Sequence, residues 1–324
     1  KIRDVAIVTL TAEESYAGLG LNALLWALKA FCVADVLRQI YSVVITLAED
    51  KEEALKIFNR EWEKIKLNFE KKEDIPLYKR LKLSAFELSK IKLKKPISEA
   101  YKIIVVGEFY VRNEEFSRQW IEEKLAEMGF VTKIVPMIEW LNYVDYTKWK
   151  NLGGEKISIF KRFYFLIKRK IQHSIEKKIK KIFEKCGLYT PDPINIKEIL
   201  KVSKPLVDNR LLGEVGLTVG SSLKSILDES CGVISLSPFS CLQARTSDAI
   251  LNNNMTVEKR MKVASNTVFG NNINRLPKEM VLPFLSIESD GNPFPQITMA
   301  KLEVFSLQAK RLGDLMNEAK RNNK

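Results

Sequence analysis

One cysteine in this chain is carried by a strand-like run into a turn just ahead of a helix: Cys241, within Cys231 to Arg245, CGVISLSPFSCLQAR. The run Gly232-Val233-Ile234-Ser235-Leu236 reads as a buried strand whose carboxyl end opens onto the crevice where open α/β sheets bind ligands. A thiol there can face a cofactor; the commoner fate of a free cysteine is that of a small buried hydrophobe. Two further loops after candidate strands bring charge: Gly107 to Asn113 with Glu108 and Arg112, and Glu288 to Gln296 with Glu288 and Asp290. If the three strands are neighbours in a parallel sheet, these loops gather on one carboxyl edge and can assemble a redox or metal site. Arg112 has the fork geometry to clamp a phosphate or carboxylate bidentately, or else pairs with Glu108 or Glu114.

The totals narrow the chemistry. The chain of 324 residues is long enough for two or three domains with substantial cores and no disulfide staples. Its four cysteines, Cys32, Cys186, Cys231 and Cys241, form no CxxC, which excludes a zinc knuckle and a secreted disulfide framework and fits a reducing, cytoplasmic setting. A single histidine, His173, leaves little room for a Ser-His-Asp triad or a His-rich metal site. No run reaches about 20 uninterrupted apolar residues, so no transmembrane segment is expected, and no signal-peptide pattern opens the chain. It starts Lys1-Ile2-Arg3 rather than Met, with a strand expected over Val5 to Leu10, as the carboxyl portion of a longer polypeptide would.

The elements expected to position the loops follow from periodicity. Leu21 to Ile40 is apolar nearly all round, a core helix that buries Cys32, and Glu49 to Glu70 has the rhythm of an amphipathic helix. Ile103-Ile104-Val105-Val106-Gly107 is a strand, Glu114 to Met128 a helix stopped by Gly129, and Val131 to Val135 the next strand, together a βαβ unit. Gly213 to Gly220 leads into a helix from Ser221 to Asp228, where Gly216, Gly220, Ser221 and Ser222 could cradle a phosphate at the helix start. That stretch has neither the P-loop nor the dinucleotide spacing. A last strand is expected at Val281 to Ile287 and a last helix from about Thr298 to Met316, with a frayed charged tail. The expected class is α/β, with Rossmann-like or flavodoxin-like parallel sheets flanked by helices and a helical insertion. Three regions are expected: 1–98, a strand plus helices; 99–190, α/β with a basic helix; and 191–324, α/β carrying Cys241.

Lys and Arg outnumber Asp and Glu by 53 to 40, a formal charge of +13 that favours anionic partners. The cations concentrate between Lys161 and Lys185, where Phe163, Ile167, Ile171, Ile175, Ile179 and Ile182 form one apolar stripe expected to face inward. The outer Lys/Arg surface is a solvated cover or a docking face for a membrane surface, an acidic protein or nucleic acid. Nucleic acid is the least favoured, because no aromatic residues interleave the polar face. His173 reads as exposed and uncommitted.

Six segments then carry a resemblance: Gly107 to Asn113, GEFYVRN; Glu139-Trp140-Leu141; Leu217-Thr218-Val219-Gly220; Gly232-Val233-Ile234 with Pro238-Phe239-Ser240-Cys241; Leu282 to Gly291, LPFLSIESDG; and Lys301 to Phe305, KLEVF. In order and spacing, from about Tyr16 to Leu312, the chain resembles the carboxyl region of acyl-CoA dehydratase activase-like proteins. These are relatives of the 2-hydroxyacyl-CoA dehydratase and benzoyl-CoA reductase superfamily, including its double-cubane-cluster members.

The resemblance implies an oxygen-sensitive, anaerobic iron–sulfur protein of the 4Fe–4S type that delivers low-potential electrons in acyl-CoA chemistry. It places Cys241 as a cluster-ligating thiolate, with the amides of Ser240 and Leu242 hydrogen-bonding cluster sulfur. It places the other ligand cysteines before Lys1, and ATP only in modules outside this chain. Expected partners are those ATPase or activase modules, dehydratase subunits, the missing amino-terminal part of the same polypeptide, or a second copy in a homodimer. Ser240 stands where the family shows Gly. A competing expectation is a non-catalytic module docking an anionic partner through 161–185; another completes an acyl-CoA pocket, with Glu108 and Arg112 at a substrate or anion subsite.

Overall fold

The computed structural model describes residues 21–150, 152, 158–192, 194–208 and 210–322. The expected strand at Val5 to Leu10 and loop at Tyr16 to Gly20 lie outside them. Four strands, β1 (Tyr101–Gly107), β2 (Phe130–Ile134), β3 (Gly232–Pro238) and β4 (Phe284–Ser289), form one all-parallel sheet in the order β2-β1-β3-β4. Thirteen α-helices flank it among the described residues, a Rossmann-like or flavodoxin-like α/β fold as expected. β1 and β2 come from region 99–190 and β3 and β4 from 191–324, and all hydrogen-bond in one sheet.

The central strands are near-continuous apolar runs because both their faces are covered. Ile103 to Val106 in β1 and Val233, Ile234 and Leu236 in β3 are buried. On one face α13 (Gln296–Asn322), which follows the short α12 (Val257–Val263) in the chain, brings Phe305 over Gly232, where an added Cβ would lie 2.7 Å from the ring. α13 runs beyond the expected end at Met316, because Met316 and Ala319 are buried and Lys320 Nζ donates to the carbonyl of Ser98 at 3.1 Å. On the other face lie α10 (Glu214–Ser225) and α11 (Leu242–Asn254).

α10 begins at Glu214, seven residues earlier than expected, so Gly216, Gly220, Ser221 and Ser222 lie within the helix and do not form a phosphate cradle. Gly220 serves packing instead: a Cβ there would overlap the carbonyl of Ile199 in α9 (Ile196–Ser203).

The helical insertion comprises α1 (Leu21–Leu47), α2 (Lys51–Phe69), α3 (Leu77–Leu88) and the carboxyl half of α8 (Ile159–Glu184), which share a second core. α3 gave no signal that sequence reasoning used. α1 also protects the free edge of β2: the Thr132 amide donates to Ser42 Oγ at 2.7 Å, and Thr46 Oγ1 donates to the Phe130 carbonyl at 3.1 Å. By length and composition α1 is apolar enough over Asn22 to Leu47 to cross a membrane, with Lys29, Asp35 and Arg38 interrupting the run, and 61% of its most apolar stretch is buried inside the protein.

Two elements differ from the periodic reading. The expected helix from Glu114 to Met128 is two short ones, α5 (Glu115–Arg118) and α6 (Ile121–Glu127), preceded by α4 (Phe109–Asn113). Gln119 and Trp120 break it with left-handed backbone, φ 52° and 50°, leaving Trp120 exposed while Arg118 reaches Glu122 at 2.6 Å in a buried pair. The stripe on α8 does not face inward throughout. Four residues span 400° of helix, so an i, i+4 stripe advances 40° at each step; Ile179 and Ile182 are buried, whereas Phe163, Ile167 and Ile171 are exposed.

Candidate functional site

The three expected loops share the carboxyl edge of adjacent parallel strands, as anticipated. The order β2-β1-β3-β4 reverses direction between β1 and β3, and at that switch point open α/β sheets bind ligands. β1 ends on Gly107, at φ 108°, which only glycine adopts readily, and any side chain there would collide with the Leu236 backbone of β3. The next amide, of Glu108, donates to the Leu236 carbonyl at 2.8 Å and closes the edge.

Glu108 caps α4: its carboxylate accepts from the Val111 amide at 2.8 Å. Arg112, 3% exposed, turns inward rather than toward Glu108 or Glu114. Its Nη1 donates to the Gly107 carbonyl and lies 3.9 Å from Glu214 Oε1, while Nε and Nη2 are buried without partners. Asn113 is fixed by Arg38, whose Nη1 reaches its side-chain oxygen at 2.6 Å, and by Arg118, whose Nη1 donates to its carbonyl at 3.0 Å. The loop from Glu108 to Asn113 is therefore rigid.

Sequence reasoning assigned no role to either of two carboxyls that flank Arg112, Glu139 entering it only within a motif. Glu214 opens α10 and accepts from the Phe109 amide at 2.8 Å; its own amide donates to Gln243 Oε1 of α11 at 2.9 Å. Glu139, in the first turn of α7 (Met137–Lys150), accepts from Ser221 Oγ at 3.2 Å. Burial pushes each carboxyl up to about 7, opposed in both by the Arg112 charge. Their only sequence signal is an acidic residue in a helix's first turn, where the macrodipole alone accounts for it.

β3 ends at Pro238, Phe239 and Ser240 form the turn, and Cys241 is the N-cap of α11. Ser240 has φ 59°, left-handed backbone that favours glycine. Cys241 is half-buried, and no side chain accepts from the first N–H groups of the helix. Phe239 and Leu242 are exposed on either side. The other three cysteines are buried. Desolvation raises all three thiols, Cys186 to about 11 and Cys231 to about 12, and Cys231 Sγ donates to the Lys102 carbonyl at 3.3 Å.

From β4, Glu288 pairs with Arg245 of α11 at 2.7 Å, and Asp290 accepts from the Asn292 amide at 2.9 Å within its own turn. Both reach the edge but are used in holding it. Ser289 Oγ donates to the Ser117 carbonyl at 2.7 Å, joining β4 to the loops after β1. Among the described residues no three His, Cys, Asp or Glu side chains converge as a metal site would require. Cys241 is a single soft donor at a helix start on a rigid edge, with a buried, half-satisfied guanidinium on the neighbouring strand loop. No protein-family profile, curated protein or solved structure matches the chain.

Proposed function

We propose that this carboxyl edge is the cofactor edge of an iron–sulfur, activase-like protein. In this reading Cys241 supplies one thiolate to a 4Fe–4S-type cluster, and the remaining ligands come from cysteines outside this chain. The observation that carries the reading is the contrast among thiols: three are buried, and Cys241 alone is partly exposed, at a helix start on the switch-point edge. The order of motifs from Gly107 to Phe305 supports it. The donors present fit one corner of a shared cluster, not a complete one.

When bound, such a cluster supplies one-electron transfer at low potential. The chain's own residues hold and tune it. The left-handed turn at Ser240 sets Cys241 at the start of α11. The amides of Ser240 and Leu242 can donate to sulfur, and Phe239 and Leu242 provide an apolar rim that excludes water once a partner closes over it. The electrons would pass to acyl-CoA dehydratase or reductase chemistry, driven by ATPase modules on a partner.

The test is anaerobic co-purification with the cysteine-bearing polypeptide, followed by visible absorption and electron paramagnetic resonance after reduction. Cys241→Ala should lose the cluster signal and Cys231→Ala should keep it. Full retention of the signal in Cys241→Ala would overturn the reading.

A further inference from the structure

The first half of α8 carries its apolar residues on the side that faces away from the protein. Gln172, Glu176, Ile179, Ile182 and Phe183 are its buried packing residues. At 100° per residue, Ile159, Phe160, Phe163 and Ile167 fall on the opposite side of the helix, with Tyr164 and Ile171 at its flank. All six are exposed, Phe160 by 87% and Phe163 by 63%. Singly exposed apolar residues are ordinary, whereas a contiguous face of this kind marks an interaction surface.

The chemistry around the face identifies what it meets. From Ile159 to Ile175 the helix contains five Lys or Arg, Lys161, Arg162, Lys168, Arg169 and Lys170, and no Asp or Glu. Lys168 is held by Asp145 at 2.8 Å. Along one flank of the apolar face runs a recess of about 350 Å³, lined by Arg169, Lys170, His173 and Lys197 with Asn142 and Asn195, and by no carboxylate. An apolar, aromatic-bearing face about 20 Å long with cations at its border is the pattern of a helix lying in a bilayer interface. Its rings and aliphatic chains enter the acyl boundary while Lys and Arg stay at headgroup level.

We propose that residues 159–171 of α8 dock the protein flat on a membrane surface rich in anionic lipid, with the recess beside the helix taking a lipid phosphate. This rests on residues separate from the Cys241 loop, and it stands or falls independently of the cluster.

The test is sedimentation of the chain with phosphatidylcholine vesicles with and without phosphatidylserine, across a salt series. Binding should require phosphatidylserine and weaken with salt. Phe160→Ser with Phe163→Ser should reduce the partition coefficient about tenfold or more, from the lost apolar insertion. Arg169→Gln with Lys170→Gln should reduce binding to phosphatidylserine vesicles to a similar degree, about tenfold. Phe160, Phe163 and Lys170 are exposed and Arg169 rests on the rings of Tyr146 and Trp149 at the helix flank; circular dichroism should be unchanged, and a change in it would move the test to Ile167→Ser alone. Four results would overturn the proposal: no vesicle binding at low salt; equal binding to both vesicle types; binding of inorganic phosphate without vesicle binding; or a dimer of the wild-type chain that Phe163→Ser converts to a monomer, which would assign the face to a second copy.

Discussion

The backbone N–H of Glu108 donates to the carbonyl of Leu236 at 2.8 Å, and the residue between β1 and that bond is Gly107 at φ 108°. The two central strands thus end in direct backbone contact, and the loops bearing Arg112 and Cys241 leave from that junction. Gly107→Ala would place a methyl group within the Leu236 backbone in a conformation alanine avoids. It should cost about 3 kcal/mol or more, seen as a lower urea midpoint or loss of soluble protein. A midpoint unchanged from wild type would show that the junction relaxes freely.

Ser240 presents the opposite case. It holds φ 59° and is exposed, so a side chain there has strain without packing in return. Ser240→Gly should stabilise the protein by about 1 kcal/mol in chemical denaturation. A destabilised variant would show that the serine hydroxyl makes a compensating bond in solution.

Glu214 and Glu139 set a pH dependence. Each carboxyl has an ordinary value of 4.5 and is held in the fold at about 7. Between those values the folded state binds more protons than the unfolded chain, so stability falls as pH rises through this window. The protonated groups' full contribution is present below pH 4.5 and is lost above about 7. Glu214→Gln should match wild type near pH 5 and exceed it near pH 8, by on the order of 2 kcal/mol. A difference that stays constant with pH, or reverses, would contradict the assignment.

The thiols should divide by burial. In metal-free native protein a disulfide reagent at neutral pH should react quickly with Cys241 alone, and all four cysteines should react after denaturation. Cys241→Ser should abolish the fast phase. A fast phase that survives would place the accessible thiol elsewhere.

What could be read in the sequence was what local pattern controls. The apolar runs of β1 and β3, the turn before α11 and the gathering of three loops on one edge follow from residue order, because a strand buried on both faces must be apolar and its loops then share an edge. Tertiary contacts hid the rest. Phe116, Trp120, Ile121 and Leu125 carry helical spacing, yet the chain turns left-handed at Gln119 and Trp120 while Arg118 and Glu122 pair in the interior. The two glycines of α10 looked like a phosphate loop and serve the helix interior, Gly220 by admitting the Ile199 backbone. Glu139 and Glu214 gain their character from burial beside Arg112, which no linear spacing encodes.

The central claim is that sulfur 241 is a metal ligand, and alkylation followed by peptide mass spectrometry reads that directly. In protein isolated anaerobically together with a polypeptide that supplies the other cysteines, the proposal predicts that Cys241 resists iodoacetamide and becomes labelled only after the iron is removed by oxidation and chelation. Equal labelling of Cys241 before and after that treatment would contradict the claim.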